Sequence, residues 1–215
     1  PDTPGLGQRA EWTGNPVREA ILSLPIPEER YGNRQDRVLH VLVVGGSQGA
    51  RVLNQVVPEA MAELTPDQRP KLLHQCGRDR AQELFARYRE LGIEADVREF
   101  IEDMAAAYYE ADLVVCRAGA MTVAEICAVG LAAVLVPYPY AAGNHQKINA
   151  QYLVSQGAAI ALEESEFSAN LLALTVRKFQ DDRSRLLSIA QKARALGRPD
   201  AIGRVTGQCL EVVSA

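Results

Sequence analysis

From Val38 onward, short apolar runs alternate with longer stretches of helical spacing. Val38-Leu-His-Val-Leu-Val-Val44 is nearly continuous, rich in β-branched residues and closed by Gly45-Gly46. That is the pattern of a strand buried on both faces of a parallel sheet. Ala50 to Leu64 follows, with apolar residues at Val52, Leu53, Val56, Val57, Ala60 and Leu64 on a helical period. The same alternation predicts further strands over 71–75, 95–99, 112–116, 132–136 and 158–161. It predicts helices over 79–91, 104–110, 123–129, 144–156 and 168–179, and a helical C-terminal stretch from Arg183 broken near Gly197-Arg198-Pro199. Six strands alternating with helices define an α/β class, a doubly wound parallel six-stranded sheet. Such sheets bind ligands beyond the carboxyl ends of their strands, where strand order reverses. The residues just after each strand are therefore the candidates for chemistry.

Residues 1–37 read as a linker and lead-in, and 38–215 as the folded domain with its C-terminal helices. Pro1, Pro4, Pro16, Pro25 and Pro27, with Gly5, Gly7, Gly14 and Gly32 among them, break any regular period. One short helix over 17–24 fits, ended by Pro25. Composition is that of a globular protein: 47% hydrophobic and 23% charged residues, net charge −4. No cluster of positive charge marks a nucleic-acid surface. Cys76, Cys116, Cys127 and Cys209 show no CxxC spacing and histidines number three, which disfavours a zinc site or a disulfide framework. The longest strongly apolar stretch, Leu131 to Val136, falls far short of the ~20 residues that span a bilayer. A first residue of Pro1 rather than Met suggests a processed chain or a fragment lacking an N-terminal partner.

Four segments could carry chemistry. Gly45-Gly46-Ser47-Gln48-Gly49-Ala50 lets the backbone turn sharply into a helix whose N–H groups and dipole suit a phosphate or diphosphate. It equally fits a plain strand-to-helix turn with Ser47 as N-cap. Neither GxGxxG nor a Walker loop is present, which disfavours nicotinamide enzymes and P-loop NTPases. Cys116-Arg-Ala-Gly-Ala-Met-Thr-Val-Ala-Glu125 is a second glycine turn. There Glu125 could accept hydrogen bonds from a ribose diol, or Thr122 and Glu125 could form a capping box. In His145-Gln146-Lys-Ile-Asn149 the imidazole and amides suit sugar hydroxyls, against a polar helix start as the alternative. Phe100 and Ile101 before Met104 offer an apolar slot for a base, or a core plug ahead of an acidic helix cap.

Taken in order, these pieces resemble the C-terminal half of the MurG family, bacterial UDP-N-acetylglucosamine:N-acetylmuramyl-(pentapeptide) pyrophosphoryl-undecaprenol N-acetylglucosaminyltransferases. The resemblance rests on Gly14-Asn-Pro-Val-Arg18, Val43-Val-Gly-Gly-Ser-Gln-Gly-Ala-Arg51 with Leu53-Asn54, and Phe100-Ile-Glu-Asp-Met-Ala-Ala-Ala-Tyr108. It continues through Ala111-Asp112, Cys116 to Glu125, Gly130-Leu131, Val136-Pro137, His145-Gln146 and Asn149-Ala150. It implies a Rossmann-like C-terminal domain of a GT-B glycosyltransferase, the UDP-sugar donor half. The implied reaction is inverting, metal-independent transfer of GlcNAc to the muramyl 4-hydroxyl of lipid I, giving lipid II, with no cofactor. By position it implies a diphosphate site at Gly46, Ser47, Gln48 and Gly49, and a uracil slot at Phe100 and Ile101 with Arg18 beside it. Met104 and Glu125 would contact ribose. Ala120, Met121 and Thr122 would supply a backbone strip near the diphosphate and sugar, and Gln146 and Asn149 would hold the GlcNAc hydroxyls. His145 stands where some members carry Gln.

The family's general base, acceptor site and membrane-facing patch belong to an N-terminal half outside these residues, so donor binding without efficient transfer is expected. Peripheral attachment to the cytoplasmic face of the inner membrane is implied through that same half. Two other possibilities stay open at this point: a different UDP-sugar GT-B enzyme or a UDP-GlcNAc epimerase, and a non-catalytic nucleotide-binding or partner-binding module.

Overall fold

The computed structural model describes residues 11–32, 34, 37–46 and 48–214. All six strands form where the apolar runs lie: β1 (His40–Val44), β2 (Lys71–Gln75), β3 (Asp96–Arg98), β4 (Leu113–Cys116), β5 (Ala132–Leu135) and β6 (Ile160–Ala161). They make one sheet of order β3-β2-β1-β4-β5-β6, every pairing parallel. The four longer strands lie inside; the two shortest, β3 and β6, are the edges. β1 to β2 runs one way across the sheet and β4 to β5 the other. Right-handed crossovers then place the intervening helices on opposite faces. Strand order reverses between β1 and β4.

The helices between strands are α3 (Arg51–Ala62), α4 (Ala81–Glu90), α5 (Met104–Glu110), α6 (Ala120–Val129) and α7 (His145–Ser155). After β6 come α8 (Ala169–Asp181), α9 (Arg183–Ala195) and α10 (Ala201–Ser214), the last two parted near Gly197-Arg198-Pro199 as expected. On α3, Leu53, Val57, Ala60 and Met61 are buried, and the helix packs against α8. On the other side α6 packs against α9 and α7.

The lead-in holds more structure than its prolines and glycines suggest. Besides α1 (Glu19–Leu22), inside the span expected for a short helix, it forms α2 (Pro27–Gly32). Pro27 opens that helix at its first position, where its ring geometry fits and its missing N–H costs nothing. Val17, Ile21 and Tyr31 enter the core. The Tyr31 hydroxyl donates to the Asp112 carbonyl (2.8 Å) and accepts from the Ala132 N–H (3.2 Å), tying the lead-in to β4 and β5.

Two buried lead-in arginines serve helix ends on the side away from the strands' carboxyl ends. Arg30 donates to the Val129 and Gly130 carbonyls (3.0 and 2.5 Å) where α6 stops. Arg34 donates to the Tyr109, Glu110 and Ala111 carbonyls (2.5, 3.3 and 3.3 Å) where α5 stops. Cations satisfy the orphan carbonyls and the negative end of the dipole there. The buried Asp112 carboxylate sits among them. It accepts the His40 N–H (2.8 Å) and lies 3.4, 3.8 and 3.6 Å from Arg34, Arg37 and Arg183.

Candidate functional site

The crevice lies where β1 and β4 end. On the β1 side the chain turns at Gly45 and Gly46 and enters α3 after Ala50. Ala50, not Ser47, is the N-cap: its backbone is extended and it provides no side-chain bond to the helix. Ser47 itself lies outside the described residues. Gly46 and Gly49 take left-handed φ angles of 77° and 73°, and the Gly49 N–H closes the turn on the Gly46 carbonyl (3.0 Å). The first N–H groups of α3 have no carbonyl one turn back and face the crevice end of the helix.

This turn rests on a second glycine. A Cβ added to Gly49 would lie on the Cys76 carbonyl, and one added to Gly77 would lie on the Gly49 backbone. Beneath them the Asn54 amide donates to the Cys76 carbonyl (3.1 Å) and accepts from His74 Nε2 (3.1 Å), while His74 Nδ1 meets the Tyr88 hydroxyl (2.8 Å). This bonding fits a neutral ring with its proton on Nε2. Burial drives the His74 pKa down to about 3. His74, Tyr88 and Gly77 were given no role from the sequence, and Asn54 entered only through the resemblance, because a lone histidine in an apolar strand carries no motif.

On the β4 side, α6 begins at Ala120 after Gly119, three residues earlier than the apolar period indicates. The Thr122–Glu125 capping box therefore does not form. Gly119 is the N-cap, Thr122 occupies the third helical position and Glu125 lies in the second turn. Ala120, Met121 and Thr122 supply the helix's first three N–H groups, whose partners lie outside the helix. Two amides steady their approach: Asn149 donates to the Ala118 carbonyl (3.0 Å) and Asn15 to the Ala120 carbonyl (3.4 Å).

Glu125 is held between two elements. Its Oε2 accepts the Tyr108 hydroxyl at 2.9 Å and its Oε1 lies 3.5 Å from Arg18. Its side chain is 15% exposed and that of Arg18 59%. Arg18 and Glu125, far apart in sequence, are thus brought together. Nearby, α5 begins at Met104, which is buried, with Asp103 capping it through the Ala106 N–H (2.9 Å). Phe100 and Ile101 part company: Ile101 is core, whereas Phe100 stands 63% exposed. The base slot cannot use both side chains alike; Phe100 alone offers an exposed ring face.

At the start of α7, His145 turns away. Its Nδ1 lies 2.7 Å from the Ala142 carbonyl and the side chain is exposed. Gln146 and Asn149 are half-buried, each with one amide atom engaged. Gln146 Oε1 accepts the Tyr138 N–H (3.0 Å), and Asn149 gives its Nδ2 to Ala118. The Gln146 Nε2 and the Asn149 Oδ1 are left as a donor and an acceptor toward a ligand.

Among the described residues no group of three or more His, Cys, Asp or Glu side chains gathers as a metal site, and no helix is long and apolar enough to cross a membrane. A concavity of about 660 Å³ opens between α3 and α4, lined by Arg51, Asn54, Arg80 and Glu83. It lies beside the crevice, in the helix layer, and its far wall is self-paired: Arg87 bonds both Glu59 and Glu90. The glycine turns, not that groove, offer converging backbone donors.

Fold and site together define a Rossmann-like α/β domain with two anion-suited helix starts facing one switch-point crevice. The family model described as Glycosyltransferase family 28 C-terminal domain matches residues 40–205. The chain belongs to that family. It is 50% identical over 214 residues to the UDP-N-acetylglucosamine--N-acetylmuramyl-(pentapeptide) pyrophosphoryl-undecaprenol N-acetylglucosamine transferase of Nitrosococcus oceani, which covers 100% of the chain and 59% of that relative. The same-named protein of Marinobacter nauticus is 48% identical over 202 residues, covering 94% of the chain and 55% of the relative. Among solved structures, Acinetobacter baumannii MurG superposes with a TM-score of 0.80 at 37% identity, covering 89% of this chain and 55% of that one. The chain thus spans a little over half the length of the relatives it matches.

Proposed function

We propose that this chain is the donor-binding half of an inverting glycosyltransferase that moves GlcNAc from UDP-GlcNAc to the muramyl 4-hydroxyl of lipid I, giving lipid II. Residues 38–215 form the donor domain, and the lead-in is fastened to it. The observation that carries the proposal is that the α3 and α6 amino termini follow neighbouring strand ends, with the Glu125 carboxylate of α6 held by Tyr108 and Arg18. The identity of about half over the whole chain to enzymes named for this transfer supports it.

The chemistry follows from the geometry. Breaking the glycosidic bond leaves negative charge on the diphosphate. Preorganised N–H groups at two helix starts meet that charge without a divalent ion. Gly46, Gln48 and Gly49 shape the first turn, with Ser47 assigned beside them by resemblance. The backbone of Ala120, Met121 and Thr122 supplies the second. Glu125 accepts from the ribose diol, with Met104 beneath and Arg18, which pairs with Glu125, beside the uracil slot. Phe100 gives the base a face, and Ile101 supports it from the core. The Gln146 Nε2 and the Asn149 Oδ1 meet sugar hydroxyls; His145 takes the outermost place. The acceptor, the general base and a peripheral contact with the cytoplasmic face of the inner membrane belong to the remainder of the full-length enzyme.

Calorimetry on the chain with EDTA present tests this. UDP and UDP-GlcNAc should bind, and ADP and NAD should not compete. Binding that needs added magnesium or manganese, or equal affinity for ADP, would refute the metal-free uridine site.

A further inference from the structure

We infer that Tyr108 is a positioning residue for the nucleotide, locking the Glu125 carboxylate in the orientation that receives the ribose hydroxyls. The inference rests on the donor-site assignment above and adds a residue to it.

Glu125 projects from the second turn of α6 into the crevice, and its two oxygens are treated differently. Oε2 meets a fixed donor: the Tyr108 ring is fully buried on α5, and its hydroxyl reaches Glu125 at 2.9 Å. Oε1 meets a movable one: Arg18 reaches it at 3.5 Å from the lead-in, on a side chain that is mostly exposed. Burial, with Glu125 adding to it, raises the Tyr108 pKa well above its ordinary value. The phenol therefore keeps its proton and remains a donor throughout the physiological range.

Each carboxylate oxygen can accept at about two positions, so both keep room for a ligand hydroxyl. A glutamate in a helix otherwise has three side-chain torsions to settle before it can bind a diol. Fixing one oxygen from below removes that ordering cost from the binding step. It also denies Arg18 the chance to draw the carboxylate out of the crevice. Without the Tyr108 hydroxyl, Arg18 is left as the one side-chain partner of Glu125 among the described residues, and it pulls toward solvent. Tyr108 falls on the apolar face of α5, so a purely structural role is the competing explanation: a ring that fills the core, with an incidental contact.

Affinities of the chain for UDP, 2′-deoxy-UDP and 3′-deoxy-UDP decide between them, measured on wild type and Tyr108→Phe beside thermal melts. Wild type should favour UDP over the deoxy compounds by about tenfold or more, as for a hydrogen bond to a charged acceptor. Tyr108→Phe should shrink that preference several-fold, through weaker UDP binding, with the deoxy compounds bound nearly as before. A lower melting temperature with the preference intact would overturn the proposal and leave Tyr108 as core. Wild type indifferent to both hydroxyls would overturn the ribose assignment itself, a distinct result. If the phenylalanine variant does not fold, a fluorotyrosine-labelled chain gives the answer. The Tyr108 fluorine resonance should shift with UDP and less with the deoxy compounds; a resonance blind to UDP would overturn the proposal.

Discussion

Replacing Gly49 by alanine tests whether the β1 turn works through close backbone packing. Two costs add. At φ 73° an L side chain is strained, by roughly 1–2 kcal/mol. The new Cβ also meets the Cys76 carbonyl well inside contact distance, and that carbonyl is held by the Asn54 amide at 3.1 Å. Forcing an extra methyl into such packing costs about 1–3 kcal/mol. The sum is about 2–5 kcal/mol. For a chain of this size each kcal/mol lowers Tm by about 2–4 °C, so the expected loss is roughly 4–20 °C. Gly46→Ala is the internal control: its φ is 77°, but nothing lies within 4 Å of the added Cβ, so only the strain remains. Differential scanning calorimetry and UDP titration on both variants give the comparison. Because a Cβ on Gly77 would strike the same Gly49 backbone, Gly77→Ala and Gly49→Ala should be less than additive in combination. Equal stability of Gly49→Ala and Gly46→Ala would refute the close-approach argument.

Two further outcomes concern charges outside the crevice. His74 has a folded pKa of about 3 against an ordinary 6.5, so the unfolded chain takes up its proton first as pH falls. Its contribution is complete above about pH 6.5 and is lost toward pH 3, at about 1.4 kcal/mol per pH unit. Urea unfolding across that range should be shallower in pH for His74→Gln than for wild type, and identical slopes would contradict the burial. Asp112→Ala leaves Arg34, Arg37 and Arg183 facing one another without their carboxylate. A loss of about 3–5 kcal/mol is expected for breaking a buried charge network, read by the same unfolding assay, and a loss near zero would show the arginines re-pairing elsewhere.

The sheet was legible because strands buried on both faces leave continuous apolar runs, and β1, β4 and β5 could be little else. β6 was overextended: 158–161 is apolar throughout, but only Ile160 and Ala161 pair, because an edge strand has one partner. The start of α6 was misplaced because Gly119 caps without a side chain and so leaves no polar signature, while Thr122 and Glu125 imitate one. Pro27 was taken for a breaker, although Pro followed by Glu28 and Glu29 also marks a helix start. In the crevice the backbone contributors could be located from glycines and strand ends. The links between segments could not. Tyr108 to Glu125 and Arg18 to Glu125 depend on how α5 crosses the sheet, and periodicity registers Tyr108 only as an apolar position.

The lead-in has a mechanical consequence. At its front it touches the crevice, through Asn15 on the Ala120 carbonyl and Arg18 on Glu125. At its rear it is bolted by Arg30 and Arg34 to the ends of α6 and α5, and by Tyr31 to β4 and β5. Its upstream end is held too: Glu11 bonds Arg204 and Gln208 of α10, and Arg198 lies over the Trp12 ring. A pull arriving at that end is met first by α10, and only beyond it by the first turn of α6 and the Glu125 carboxylate. The segment that looks like packing for the domain thus also clasps the last helix to the crevice.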